Sequence, residues 1–107
     1  MKAITSRRTS GARMSREKVY ELLKQVPKDM VTTYKELAKA AGTHQRAVAV
    51  YMRTNSDPVN IPCFRVIMSD GRLGGYGDSP AKKEELLRKS GIEVRNGKVD
   101  PKYVHMF

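Results

Sequence analysis

The sequence predicts an α+β domain, mostly α, with a helix-turn-helix and a small β element, and three observations carry that prediction. Apolar residues recur at helical spacing between residues that start and stop helices well. Two short helical stretches lie on either side of a glycine turn at Gly42, the pattern of a helix-turn-helix. Near the end, Asn96-Gly97 sits between two short β-prone runs, a strong hairpin signal. A length of 107 residues leaves room for one domain with a modest core.

In chain order, residues 1–13 carry Lys2, Arg7, Arg8 and Arg13 among small polar residues with no apolar period. They read either as a disordered basic arm or as residues added ahead of a start at Met14. The domain then occupies 14–107. Ser15 suits an N-cap, and Val19, Leu22, Leu23 and Val26 form one apolar stripe before Pro27 ends the first helix. Thr33 with Glu36 three residues on reads as a capping box for a second helix, which buries Leu37, Ala38 and Ala41 and stops at Gly42. Thr43 is the expected cap of a third helix running from Gln45 to about Asn55.

Residues 54–61 read as a loop, and Phe64 to Met68 as a short strand. Ser69-Asp70-Gly71 reads as a turn. Leu73 to Gly77 holds too many glycines for regular structure, so its backbone approaches either a ligand or another segment closely. Ser79-Pro80 opens a last helix and Gly91 closes it, with Leu86 and Leu87 as core contacts and Lys82, Lys83, Arg88 and Lys89 as its basic residues. From Pro101 onward the chain is expected to be a tail. No internal repeat is present.

Composition narrows the partner. Lys plus Arg is 21 against 11 for Asp plus Glu, a formal net charge of +10, which favours a polyanion and most often nucleic acid. No apolar run approaches the ~20 residues of a membrane span, and the first residues lack the apolar core of a signal peptide. One cysteine excludes an internal disulfide, and one Cys with two distant His, His44 and His105, makes no standard zinc set. An intracellular, non-membrane protein without a metal is expected, in the cytoplasm or on the nucleoid or nuclear DNA.

That lone thiol, Cys63, lies between two short apolar approaches and is either a small buried hydrophobe or a nucleophile. Its neighbours add a resemblance. Pro62-Cys63-x-Arg65-Val66-Ile67, then Asp70-Gly71, Gly74-Gly75-Tyr76 and Leu86-Leu87, resemble the active-site region of O6-alkylguanine-DNA alkyltransferases. Val31 to Ala38 and Arg46-Ala47-Val48 resemble that family's helix-turn-helix, and Asn55 stands where it has an Asn hinge. The ordered match covers Met14 to Gly91.

The resemblance implies a winged-helix-like domain that needs no cofactor, flips O6-alkylguanine out of double-stranded DNA, and moves the alkyl group irreversibly to Cys63. It implies that Arg46 fills the vacated stack, that small Ala47 lets the recognition helix approach the groove, and that Tyr34 presses on the adjacent phosphate. Met52, Pro62, Val66 and Gly75 would wall the pocket. Tyr76 would donate to guanine O6, and Lys83 would favour the thiolate.

Two departures stand out. The family's His after the cysteine is Phe64 here, and its Glu near the end of the last helix falls at Ser90. The stretch from Gly91 to Asp100 is also more similar to the alkyltransferase-like proteins, single-domain relatives that bind the lesion and hand it to nucleotide excision repair proteins. The leading expectation is therefore a monomeric, single-turnover alkyltransferase acting through Cys63. The alternative is a non-enzymatic lesion-binding protein in which Cys63 is a pocket wall. A plain helix-turn-helix regulator stands third, and no dimer seam is visible for it.

Overall fold

The computed structural model describes residues 15–74 and 80–107. Its elements are α1 (residues 15–24), β1 (Thr32–Thr33), α2 (Tyr34–Ala41), α3 (Gln45–Arg53), a 3-10 turn at Cys63–Arg65, β2 (Val66–Ile67), α4 (Pro80–Lys89), β3 (Val94–Arg95), β4 (Lys98–Val99) and a second 3-10 turn at Pro101–Tyr103. The arrangement is a winged helix-turn-helix, mostly helical with short strands, as the sequence pattern leads one to expect. The expected basic arm at 1–13 lies outside the described residues. Among the described residues, no helix is long and apolar enough to cross a membrane.

The helix-turn-helix forms from local signals. Thr33 is extended and its hydroxyl accepts from the Glu36 N–H at 3.0 Å, which starts α2. Gly42 ends it in the left-handed region at φ 71°, where a side chain would be strained. Gly42 N–H donates to Lys39 O and Thr43 N–H to Ala38 O, a Schellman closure. This closure overturns the expected cap of α3. Thr43 is committed to ending α2, so His44 takes the next position, extended, with Nδ1 accepting from Ala47 N–H at 3.2 Å. Ser15 also departs from expectation, because it is already helical and its buried hydroxyl has no hydrogen-bond partner among the described residues.

Val19, Leu23 and Val26 of the α1 segment pack with Leu37, Ala38, Val48, Tyr51, Met52, Cys63 and Val66 in one core cluster. Polar contacts fix α1 against α3: Tyr20 Oη donates to Tyr51 O at 2.8 Å, and the Arg16 guanidinium lies 4.8 Å from the Tyr51 ring centre. A second cluster holds Val31, Ile67, Leu87, Ile92, Val94 and Val99. The neighbours Val66 and Ile67 point to different clusters, as the two-residue period of a strand requires.

The expected strand from Phe64 to Met68 is shorter in the structure, because residues 63–65 coil into the 3-10 turn. β2 pairs parallel with β1, Thr32 opposite Val66 and Thr33 opposite Ile67. The residues after Pro101 are not a loose tail. Val31 N–H donates to Tyr103 O at 2.9 Å, His105 N–H to Val31 O at 2.6 Å, and Thr32 Oγ1 to His105 O at 3.1 Å. The chain end thus flanks β1 on the side opposite β2, satisfying backbone groups that would otherwise be orphaned.

β3 and β4 form the expected hairpin, with Val94 opposite Val99 and Arg95 opposite Lys98. Asn96 and Gly97 both have positive φ, as the favoured two-residue turn demands. The Ser69-Asp70-Gly71 turn docks on this wing through Val99 N–H to Gly71 O at 2.9 Å. A Cβ at Gly71 would lie 2.8 Å from Val99 O, and its φ is 95°. Gly71→Ala is therefore expected to cost ~2 kcal/mol by strain and lost docking, read as a lower urea midpoint at unchanged slope. An unchanged midpoint would contradict this close approach.

Candidate functional site

Cys63 is presented by a tightly specified segment. Pro62 has φ −76° and ψ 74°, and Cys63 N–H donates to Ile61 O at 2.7 Å, an inverse γ-turn. Asn55 Nδ2 donates to the same Ile61 carbonyl at 2.8 Å, while its Oδ1 accepts from Asp57 N–H at 3.0 Å. Asn55 therefore ties the end of α3 to the approach to the cysteine. Cys63 then opens the 3-10 turn, closed by Val66 N–H to Cys63 O.

The Cys63 residue is 8% exposed and shares its cluster with Val48, Tyr51 and Met52 of α3, while Tyr34 and Ala47 pack at the edge. The thiol is thus buried, yet beside the helix-turn-helix. Of the expected pocket walls, Met52 and Val66 are buried and Pro62 is half-buried. Gly75 and Tyr76 lie outside the described residues. Gly74, just before them, has φ 76°, and a Cβ there would stand 3.4 Å from Tyr34 Oη and 3.5 Å from Met68 Cγ.

Lys83 is the largest surprise. Expected as one of the basic residues of α4 and, by the resemblance, as a cation near the thiol, it is 1% exposed, and its ammonium donates to Val66 O at 2.6 Å. It lies 5.8 Å from the Tyr34 ring centre. Burial lowers its pKa to about 8, against the opposing field of Cys63. The Tyr34 phenol is raised, first by burial and then by Cys63. Both the amine and the phenol therefore feel the Cys63 side chain. Leu86, expected in the core beside Leu87, is only half-buried; its place is taken by Lys83, one turn before Leu87 on the same helix face.

Arg46 is exposed in the first turn of α3, and Ala47 is half-buried behind it. Arg46 is thus an exposed cation on the second helix, with no side-chain hydrogen bond or ion pair among the described residues.

The two departures from the family pattern meet at one residue that the sequence reading left without a role. Phe64 is half-buried against the second core cluster. Arg65 is 8% exposed; its Nη1 donates to Met30 O at 3.1 Å and its Nη2 to Ser90 Oγ at 3.2 Å. Its guanidinium carbon is 4.7 Å from the Phe64 ring centre. Ser90 in turn donates to Leu86 O at 3.1 Å. An Arg in a short apolar run was the available signal, since such a group is buried only with partners. Among the described residues, no group of three or more His, Cys, Asp or Glu is placed to hold a metal ion.

Chemically, the site offers a buried sulfur packed against α3, a helix with an exposed cation, and a buried amine bonded to Val66 O, three residues beyond that sulfur. Residues 14–92 match the family described as 6-O-methylguanine DNA methyltransferase, DNA binding domain. A bifunctional methyltransferase/endonuclease of Picrophilus torridus is 49% identical over 86 residues, 78% of this chain and 29% of that protein. A methylated-DNA–protein-cysteine methyltransferase of Methanothermobacter thermautotrophicus is 34% identical over 84 residues, 78% of this chain and 48% of that one. The chain therefore spans less than half the length of these relatives.

Among solved structures, S. pombe Atl1 in complex with damaged DNA containing O6-carboxymethylguanine has a TM-score of 0.78 at 25% identity, covering 87% of this chain and 95% of that one. The O6-methylguanine-DNA methyltransferase of Pyrococcus kodakaraensis has a TM-score of 0.67 at 42% identity, covering 72% of this chain and 46% of that one.

Proposed function

The chain belongs to the 6-O-methylguanine DNA methyltransferase family through that family's DNA-binding domain, and on that premise we propose that it is a DNA-repair protein that recognises O6-alkylguanine. It grips the duplex through α2 and α3 as a monomer and lodges the flipped base against Cys63. In this reading Arg46 occupies the vacated stack, Tyr34 turns the phosphate, and Ala47 allows close approach. Asn55 holds the loop, and Met52, Pro62, Val66 and Gly75 wall the base. The bound lesion is then passed to nucleotide excision repair.

One observation favours binding over chemistry. The two positions where the family carries its proton relay hold a phenyl ring at Phe64 and, at Ser90, a hydroxyl engaged with Arg65 and Leu86. Neither accepts a thiol proton at neutral pH. The likeness to Atl1 along 95% of its chain supports the same reading.

A second reading rests on Lys83. The resemblance puts a cation near the thiol at this position, and in this reading the buried amine takes the role of the missing His. The sulfur would then attack the alkyl carbon; the S–C bond forms as the C–O6 bond breaks, and the departing guanine takes its proton from Tyr76.

An intact mass taken after mixing with a duplex containing O6-methylguanine separates the readings. The binding reading expects tight, lesion-selective association, weakening with salt, at unchanged mass. One added methyl, absent in Cys63→Ala, would establish transfer. Equal affinity for undamaged DNA would contradict both.

A further inference from the structure

We propose that Arg65 is a positioning residue: its buried guanidinium, seated between Phe64 and Ser90, staples the Cys63 turn to the end of α4 and to the approach to β1. This rests on the reading that the Cys63 pocket receives the lesion.

Among the described residues, two side-chain hydrogen bonds tie the segment from Cys63 to Ile67 to α4 and its end. Lys83 donates to Val66 O, and Arg65 donates to Ser90 Oγ. Lys83, Leu87 and Ser90 are spaced i, i+4 and i+7, so they share one helix face, with fully buried Leu87 between the two polar contacts. Arg65 adds a third attachment through Met30 O, one residue before the strand region that leads into Tyr34. A single side chain thus links the elements that carry the thiol, the amine and the phenol.

Phe64 and Ser90 make this seat possible. The ring offers its face to the guanidinium, and the serine is short enough to leave space for it while accepting one of its N–H groups. In this chain the two positions that would move a proton both contact the Arg65 guanidinium, which holds the turn in register.

Amide hydrogen exchange on the free protein and lesion binding test this together. Arg65 N–H and Val66 N–H are both bonded within the turn, to Pro62 O and Cys63 O. In Ser90→Ala their exchange is expected to rise about tenfold, with Leu23 in α1 unchanged, and preference for O6-methylguanine DNA to fall by about tenfold. Undamaged DNA should bind as before. Arg65→Lys should retain part of both effects relative to Arg65→Met.

If Ser90→Ala and Arg65→Lys leave turn exchange within about twofold of wild type, the staple is wrong. Faster exchange spread evenly over the core would likewise overturn it, by making Arg65 a general core contact. Faster turn exchange in a protein with no lesion preference even as wild type would keep the staple and sink the lesion reading.

Discussion

Raising the pH from about 8 to about 10 is expected to stabilise the native protein through one buried amine, and Lys83→Met is expected to abolish that gain. Lys83 has its pKa lowered from 10.5 to about 8. Between these values the unfolded chain holds a proton on this amine that the folded one does not. Stability therefore rises with pH across that window; below about 8 both states are protonated, and the full cost of burying the charge is present. That shift corresponds to ~3 kcal/mol.

The raised Tyr34 phenol acts in the opposite sense only above its ordinary value of 10.0, where the folded state retains the proton longer. Unfolding by urea at a series of pH values, wild type against Lys83→Met, isolates the lysine. At pH 7 the variant should be as stable as wild type or more so, because removing the desolvated charge offsets the lost bond to Val66 O. Parallel pH curves for the two proteins would show that Lys83 is not desolvated.

The second large effect concerns the exposed cation of α3. Arg46→Ala should reduce affinity for O6-methylguanine duplexes by about tenfold or more, since stacking is worth ~1–3 kcal/mol per base. Arg46 touches no core cluster, so thermal unfolding should not move. A phosphate contact would behave differently: it would weaken damaged and undamaged DNA alike and lower the salt slope by about one. Loss confined to the lesion would identify Arg46 as the residue that replaces the flipped base. A uniform loss would make it a backbone contact.

What the sequence made legible was what short-range chemistry decides. Thr33 and Glu36, Gly42, and Asn96-Gly97 each form the local structure that their residue types favour. The failures lie where a distant partner decides. Thr43 loses the cap to His44 because it sits in the turn that closes α2, one position before the extended residue from which α3 starts. The chain end docks because β1 has an open edge at Val31, which no local pattern reveals.

The pattern of residues gave Arg65 no place, and gave Lys83 one near the thiol only through the resemblance, for a related reason. Charge suggests solvent, while their partners, Val66 O and Ser90 Oγ, lie 17 and 25 residues away in sequence. Helix periodicity did hold a clue for Lys83, which stands four residues before Leu87. With Leu86 and Leu87 as the only large apolar side chains in α4, that clue was too faint to set the buried face. The resemblance located Cys63 and its neighbours, but the seat of Arg65 needed three-dimensional placement.

The most direct measurement uses a duplex with 2-aminopurine next to O6-methylguanine, titrated with the wild-type protein alongside an undamaged control. Lodging of an extrahelical guanine in the Cys63 pocket predicts a saturable rise in fluorescence on the damaged duplex, at protein concentrations where the control stays dark. Tight binding to both duplexes with no rise on either would contradict it.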